Sequence, residues 1–115
     1  MPGLLITSRC EGRVAVVSVQ GELTLEHLPR LEAEVGARLG EGALHLAFDL
    51  AGLAFIDSRS LGALLVHERG RRAAGGRLVL SGLRPGLQRS LAAAGLASLL
   101  PVAADLPSAL GQLAR

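Results

Sequence analysis

Apolar positions along the chain follow two different periods, and the switching between them sets the expected elements. Leu4 to Ser8 and Arg13 to Val19 are runs of strand-favouring residues separated by Glu11-Gly12, a spacing that predicts a hairpin. Gly21 then breaks the pattern. Leu28, Leu31, Val35 and Leu39 recur every three or four positions and give one apolar helical face. Pro29 has no N–H to donate, so it belongs in the first turn of that helix. The helix therefore starts near Glu26 to Leu28, and Gly40-Glu41-Gly42 ends it.

Farther on, Leu44, Leu46, Phe48 and Leu50 alternate with His45, Ala47 and Asp49, the period of a strand. A second helix is expected from about Ser58 to Ala74, with Leu61, Leu64 and Leu65 inward, stopped by Gly75-Gly76. Arg77 to Ser81 reads as a short central strand. Pro85 opens a third helix carrying Leu87 and Leu91, and Gly95 closes it. Leu99 to Ala103 suggests a last strand, and Asp105 caps a final helix with Leu106, Leu110 and Leu113 on one side. Strands alternating with helices imply parallel pairing, while the opening hairpin adds an antiparallel pair. The expected fold is α/β: a mixed sheet of about four to five strands, with about four helices packed mainly on one face by right-handed crossovers.

Composition narrows the classes. The 115 residues are half apolar and show no internal repeat or linker, so one domain over residues 1–115 is expected. All twelve basic residues are arginine, against ten acids, for a net charge of +2. The high pI follows from having no lysine or tyrosine to titrate. With only Phe48 and Phe55 as aromatics and one basic cluster, Arg69, Arg71 and Arg72, no nucleic-acid partner is expected; the cluster reads as a solvated helix end. No stretch approaches the roughly 20 uninterrupted apolar residues of a membrane span. Met1-Pro2-Gly3-Leu4 has no charged start before an apolar stretch, so no secretory signal is expected. Cys10 is the only cysteine and has no internal disulfide partner, which points to a reducing compartment and a cytoplasmic protein.

Candidate chemistry is sparse. His27, His45 and His67 lack metal-ligand spacing with one another or with Cys10, so no metal and no cofactor is expected. His45 should lie on the exposed face of its strand and His67 on the polar side of the second helix. There is no nucleophile elbow and no phosphate loop, so no catalytic residues are assigned and an enzyme is not expected.

The informative stretch is Phe48 to Leu65, FDLAGLAFIDSRSLGALL. A strand ends at Leu50, a short apolar run spans Leu53 to Ile56, and Asp57-Ser58 meets an amphipathic helix. Ser58 thus lies at or beside the helix N-cap, where backbone N–H groups lack partners and the dipole favours negative charge. A phosphate on Ser58 would bring about −1.5 to −2 charges to a surface of small residues. Asp57 and Ser58 can also be simple caps, worth about 1 kcal/mol each.

This segment resembles the STAS domain, and most closely the bacterial anti-sigma factor antagonists, whose hallmark is Asp-Ser-Ser-Gly-Leu after a strand. Here the same place reads Asp57-Ser58-Arg59-Ser60-Leu61, followed by Gly62. Gly21-Glu22-Leu23 resembles the family's Gly-Glu-Leu-Asp, Gly75 to Leu80 its Gly-Gly plus strand, and Leu91 to Leu96 its third helix ending in glycine. The resemblance implies that the domain binds an anti-sigma factor that is also a serine kinase. That kinase spends ATP on the first serine of the motif, here Ser58; phosphorylation breaks the complex and a serine phosphatase restores it. The implied partner surface is Thr24, Asp57, Ser58, Arg59, Ser60, Leu61 and Gly62, with Asp57 shaping the turn.

Three positions depart from the pattern. Arg59 replaces the second serine, Ser60 a glycine, and Thr24 the aspartate after Gly-Glu-Leu. Ser60 is expected to add bulk where a partner approaches. Arg59 adds a cation that can pair with a phosphate or an acidic partner, or obstruct a kinase. The alternative implied function is an interaction or scaffold subunit without phosphoswitching, stressosome-like or the partner of a lipid-transporter ATPase. A small hydrolase is the weakest reading.

Overall fold

The computed structural model describes residues 3–114; Met1 and Pro2, on which the leader reading partly rests, lie outside the described residues, as does Arg115. The opening hairpin pairs β1 (Leu4–Glu11) with β2 (Val14–Leu23), antiparallel, from Leu4↔Gly21 to Glu11↔Val14. The remaining strands are β3 (His45–Asp49), β4 (Leu53–Ile56), β5 (Leu78–Ser81) and β6 (Val102–Ala103). All further pairings are parallel, in the order β1-β2-β3-β5-β6, with β4 also on β2. The sheet is mixed, as expected, but has six strands rather than four or five. The last strand is confined to Val102 and Ala103 instead of running from Leu99.

Four helices, α1 (Leu28–Gly40), α2 (Ser58–Ala73), α3 (Pro85–Ala93) and α4 (Leu106–Leu113), connect or follow the strands. A 3-10 turn, Leu25–His27, leads into α1, and Pro29 sits in its first turn. Strand alternation divides the sheet between two cores. Leu46, Phe48, Leu78 and Leu80 face α1, α2 and α3 through Leu31, Val35, Leu61, Leu64, Leu87 and Leu91. Val14, Val16, Ala47 and Val79 face the other way and are covered by Ala109 and Leu113 of α4. The single-sided packing thus holds for three helices, and α4 alone takes the second face. Its presence buries Ala47, which shares a face of β3 with His45, the residue expected to lie on an exposed face.

Two details of the sheet place the functional segment. Gly21 does not end β2; it adopts φ +102 inside it, where a Cβ would run into the Gly3 carbonyl. The β2–β4 register shifts between Gly21 and Glu22, so a bulge lets β2 leave β3 and pair with β4 instead. Leu23 then lies opposite Ile56, and the two strands end side by side. The loop after Leu23 is thereby brought against the start of α2.

Candidate functional site

Asp57 is the N-cap of α2 and Ser58 its first residue. Asp57 has extended backbone (φ −86, ψ 170), and its N–H donates to the Leu23 carbonyl at 3.2 Å, continuing the β4–β2 ladder into the cap. Each carboxylate oxygen then has a separate task. Oδ1 accepts from the Ser60 N–H at 2.8 Å, closing the cap, and Oδ2 accepts from the Leu25 N–H at 2.9 Å, tying the neighbouring loop to the helix start. Partial burial pushes the Asp57 carboxyl up, but the Ser60 hydroxyl dipole, the Ser60 and Leu25 amides and the Arg59 charge outweigh it. The net effect holds the group below its ordinary value of 3.8.

The Ser58 side chain is exposed, as is Arg59. Among the described residues no side-chain hydrogen bond holds the Ser58 hydroxyl, so it stands free at the helix opening beside an ionised carboxylate and a guanidinium. Gly62 and Val66 continue the outer side of α2 at four-residue steps, and nothing lies within 4 Å of a Cβ built on Gly62. Val66 is 69% exposed, an apolar surface at the middle of the helix.

Two residues assigned to the partner surface are placed elsewhere. Ser60 is 0% exposed and Leu61 is buried among the core residues, because the third and fourth positions of α2 turn toward the sheet. The Ser60 side chain therefore adds no bulk to the outer surface, contrary to expectation. Its hydroxyl oxygen is buried without a hydrogen-bond partner. Thr24 is half-buried, and its hydroxyl lies 3.1 Å from His27 Nδ1, within the loop that Asp57 tethers. Thr24, Asp57, Ser58, Arg59 and Gly62 are thus the assigned residues that reach the surface together.

Sequence reasoning passed over Leu25, whose amide Asp57 holds across the fold, and Phe55, two residues before Asp57 in the chain; they are 50% and 47% exposed. Leu25 falls outside the three-four repeat of α1, and Phe55 follows directly on Ala54 in a strand too short to alternate. An apolar residue out of phase with its element was the signal available. His67 does not face open solvent: its side chain is 15% exposed and lies 2.8 Å from Glu32 of α1. Glu68 is also buried, paired with Arg72 one turn on.

The family model described as Mlab, STAS domain matches residues 6–101, most of the chain, from within β1 to beyond α3. The chain is a STAS domain. A search of curated proteins returned no match to it. Among solved structures, this STAS domain is similar to the anti-sigma factor antagonist SpoIIAA in its unphosphorylated form, at 21% identity over 96% of each chain, with a TM-score of 0.79. It is similar to an anti-sigma factor antagonist from Mycobacterium paratuberculosis at 24% identity, covering 98% of this chain and 96% of that one, with a TM-score of 0.80. The Bacillus cell fate determinant SpoIIAA in its phosphorylated form superposes at a TM-score of 0.70, with 22% identity, over 94% of this chain and 98% of that one. At these identities the likeness is one of fold. Among the described residues, no helix of the STAS domain is long and apolar enough to cross a membrane.

Proposed function

We propose that this STAS domain is an anti-sigma factor antagonist: it binds an anti-sigma factor serine kinase, is released when that kinase spends ATP to phosphorylate Ser58, and is restored by a serine phosphatase. The observation that carries the reading is the free, exposed Ser58 hydroxyl at the first position of α2, framed by Asp57 and Arg59. Phosphate there gains the unpaired amides of the helix start and the positive end of its dipole. It also sets about −1.5 to −2 charges against any partner packed over Leu25, Gly62 and Val66. Burial of Ser60 supports the reading, since the departure that threatened close approach lies beneath the surface.

The test uses an anti-sigma factor serine kinase that forms a complex with this protein. Incubation with ATP is expected to place one phosphate on Ser58, mapped by mass spectrometry, and to dissociate the complex; Ser58→Ala abolishes both, and Ser58→Glu prevents binding. Absence of modification in a complex that forms would overturn the switch.

Arg59 favours a second reading. An exposed cation directly after the acceptor fits a constitutive contact with an acidic partner, in an interaction subunit that is stressosome-like or serves a lipid-transporter ATPase. In that case the complex survives Ser58→Glu and is lost on Arg59→Glu.

A further inference from the structure

At the opposite end of the parallel strands from Ser58, the hairpin turn, the start of β3 and the last turn of α4 enclose a cleft of about 570 Å³. This volume falls within the range of small-molecule sites, roughly 300–1,000 Å³. Its walls are of two kinds. Val14, Leu110 and Leu113 supply apolar surface, and Glu11, Arg13 and His45 supply polar groups. The apolar wall is the rim of the second core, beside the last turn of α4.

The polar side is biased toward an anion. Among the described residues the Arg13 side chain enters no ion pair or hydrogen bond; only its carbonyl is used, accepting from the Leu44 and His45 amides. Glu11, the acid nearest in sequence, is taken up by Arg9 at 2.5 Å. The His45 ring is fixed by the Arg77 N–H, which donates to Nδ1 at 3.1 Å. This contact requires Nδ1 to be unprotonated, so Nε2 carries the hydrogen and donates without a charge on the ring. Burial of the ring, with the charges of Arg13, Arg77 and Arg71 around it, lowers the His45 pKa from 6.5 and keeps it in that form. Three guanidinium groups thus bear on one imidazole, and among the described residues no carboxylate is committed to them.

We propose that this cleft binds a small amphiphilic anion, a phosphate monoester or carboxylate carrying an aliphatic chain. Arg13 engages the headgroup through its planar fork and His45 through Nε2–H, while the chain lies over Val14, Leu110 and Leu113. The carbonyl end of α4 places partial negative charge at the apolar wall, which confines the headgroup to the Arg13–His45 side. The site is separate from the Ser58 surface and stands whether or not that surface is phosphorylated.

The test is an NMR titration of the isotope-labelled full chain with monomeric decyl phosphate, below its micelle concentration. Parallel titrations use decanol, inorganic phosphate, decyltrimethylammonium and vesicles containing phosphatidic acid. Decyl phosphate is expected to give saturable shifts at Arg13, Val14, His45 and Leu113 and none at Ser58. Decanol, phosphate and the cation should bind at least about tenfold more weakly, and Arg13→Ala should cost about tenfold or more, the worth of a charge-assisted hydrogen bond. Arg13→Lys, which keeps the charge but not the fork, should fall between. The Arg13 side chain is exposed and makes no hydrogen bond or ion pair among the described residues, so the variant spectrum should otherwise match the parent. Equal binding of decanol or of the cation, unchanged affinity in Arg13→Ala, phosphate alone binding as tightly, or binding to vesicles without binding of the monomer would each overturn the proposal.

Discussion

The Asp57 carboxylate holds the Leu25 amide at 2.9 Å across 32 residues of sequence, while its other oxygen caps α2. One side chain therefore sets both the helix start that presents Ser58 and the loop beside it. Asp57→Ala is expected to cost about 1–2 kcal/mol, the value of an N-cap plus a lost charge-assisted bond. Urea denaturation reads the loss. Hydrogen exchange at Leu25 should quicken more than at Leu23; equal rates would separate the loop from the cap.

The same bonds predict a pH dependence. The folded-state pKa of Asp57 lies below 3.8, so its contribution is complete above that value and is lost as pH falls through the folded pKa. Asp105, whose pKa is lowered by the Ser108 amide and hydroxyl, acts in the same direction. Stability should fall below about pH 4, and Asp57→Asn should flatten that acid limb. His45 is also depressed, from 6.5, by burial and three arginines, so folding favours its neutral form and stability declines as pH drops below 6.5. An NMR titration that places His45 at or above 6.5 would contradict this.

Ser58 contributes to display and little to stability. Because its side chain is exposed, Ser58→Ala should change stability by no more than about 0.5 kcal/mol. Ser58→Glu should be neutral or stabilising, by about 0.3–1 kcal/mol, since it adds negative charge to a helix N-terminus. Thermal melts of both variants should overlay the parent within a few degrees. A large loss of stability in either would assign the residue to the fold.

Ser60 should behave in the opposite manner. Its buried hydroxyl lacks a partner, and such a group costs about 1–3 kcal/mol. Its dipole also favours the ionised Asp57 carboxylate, so Ser60→Ala is expected to raise the Asp57 pKa while relieving the buried hydroxyl, and to raise the denaturation midpoint only if the second effect is the larger. A drop in stability with the Asp57 pKa unchanged would mean that the hydroxyl is satisfied in solution.

The second core depends on α4. Leu113 is 3% exposed and packs with Val14, Val16, Ala47 and Val79. Leu113→Ala should cost about 2–4 kcal/mol by denaturant titration, as for other large-to-small core changes. A cost under about 1 kcal/mol would mean that α4 is dispensable to the sheet.

Much of the fold was legible because local chemistry sufficed. Pro29 and Pro85 mark helix openings, Asp57 and Asp105 are caps, and Gly75 at φ +88 follows the last turn of α2. β4 was not legible as a strand: its four residues are buried at the ends and exposed in the middle, so no alternation shows. Its strand character comes from pairing with β2 beyond a bulge, a non-local event. His67 was misplaced for a similar reason. A polar residue on α2 reads as solvent-facing until α1 packs beside it and offers Glu32.

The sequence by itself determined which segments become strands and helices at their strongest signals, and that an Asp-Ser pair opens α2, because caps, prolines and apolar periods act within a few residues. Tertiary structure alone decided that Ser58 faces out while Ser60 faces in. It also decided that the Leu25 loop meets Asp57, and that α4 closes the second face. Those outcomes depend on where β2 exchanges partners and which sheet face each helix covers, and both are settled by packing between residues far apart in the chain.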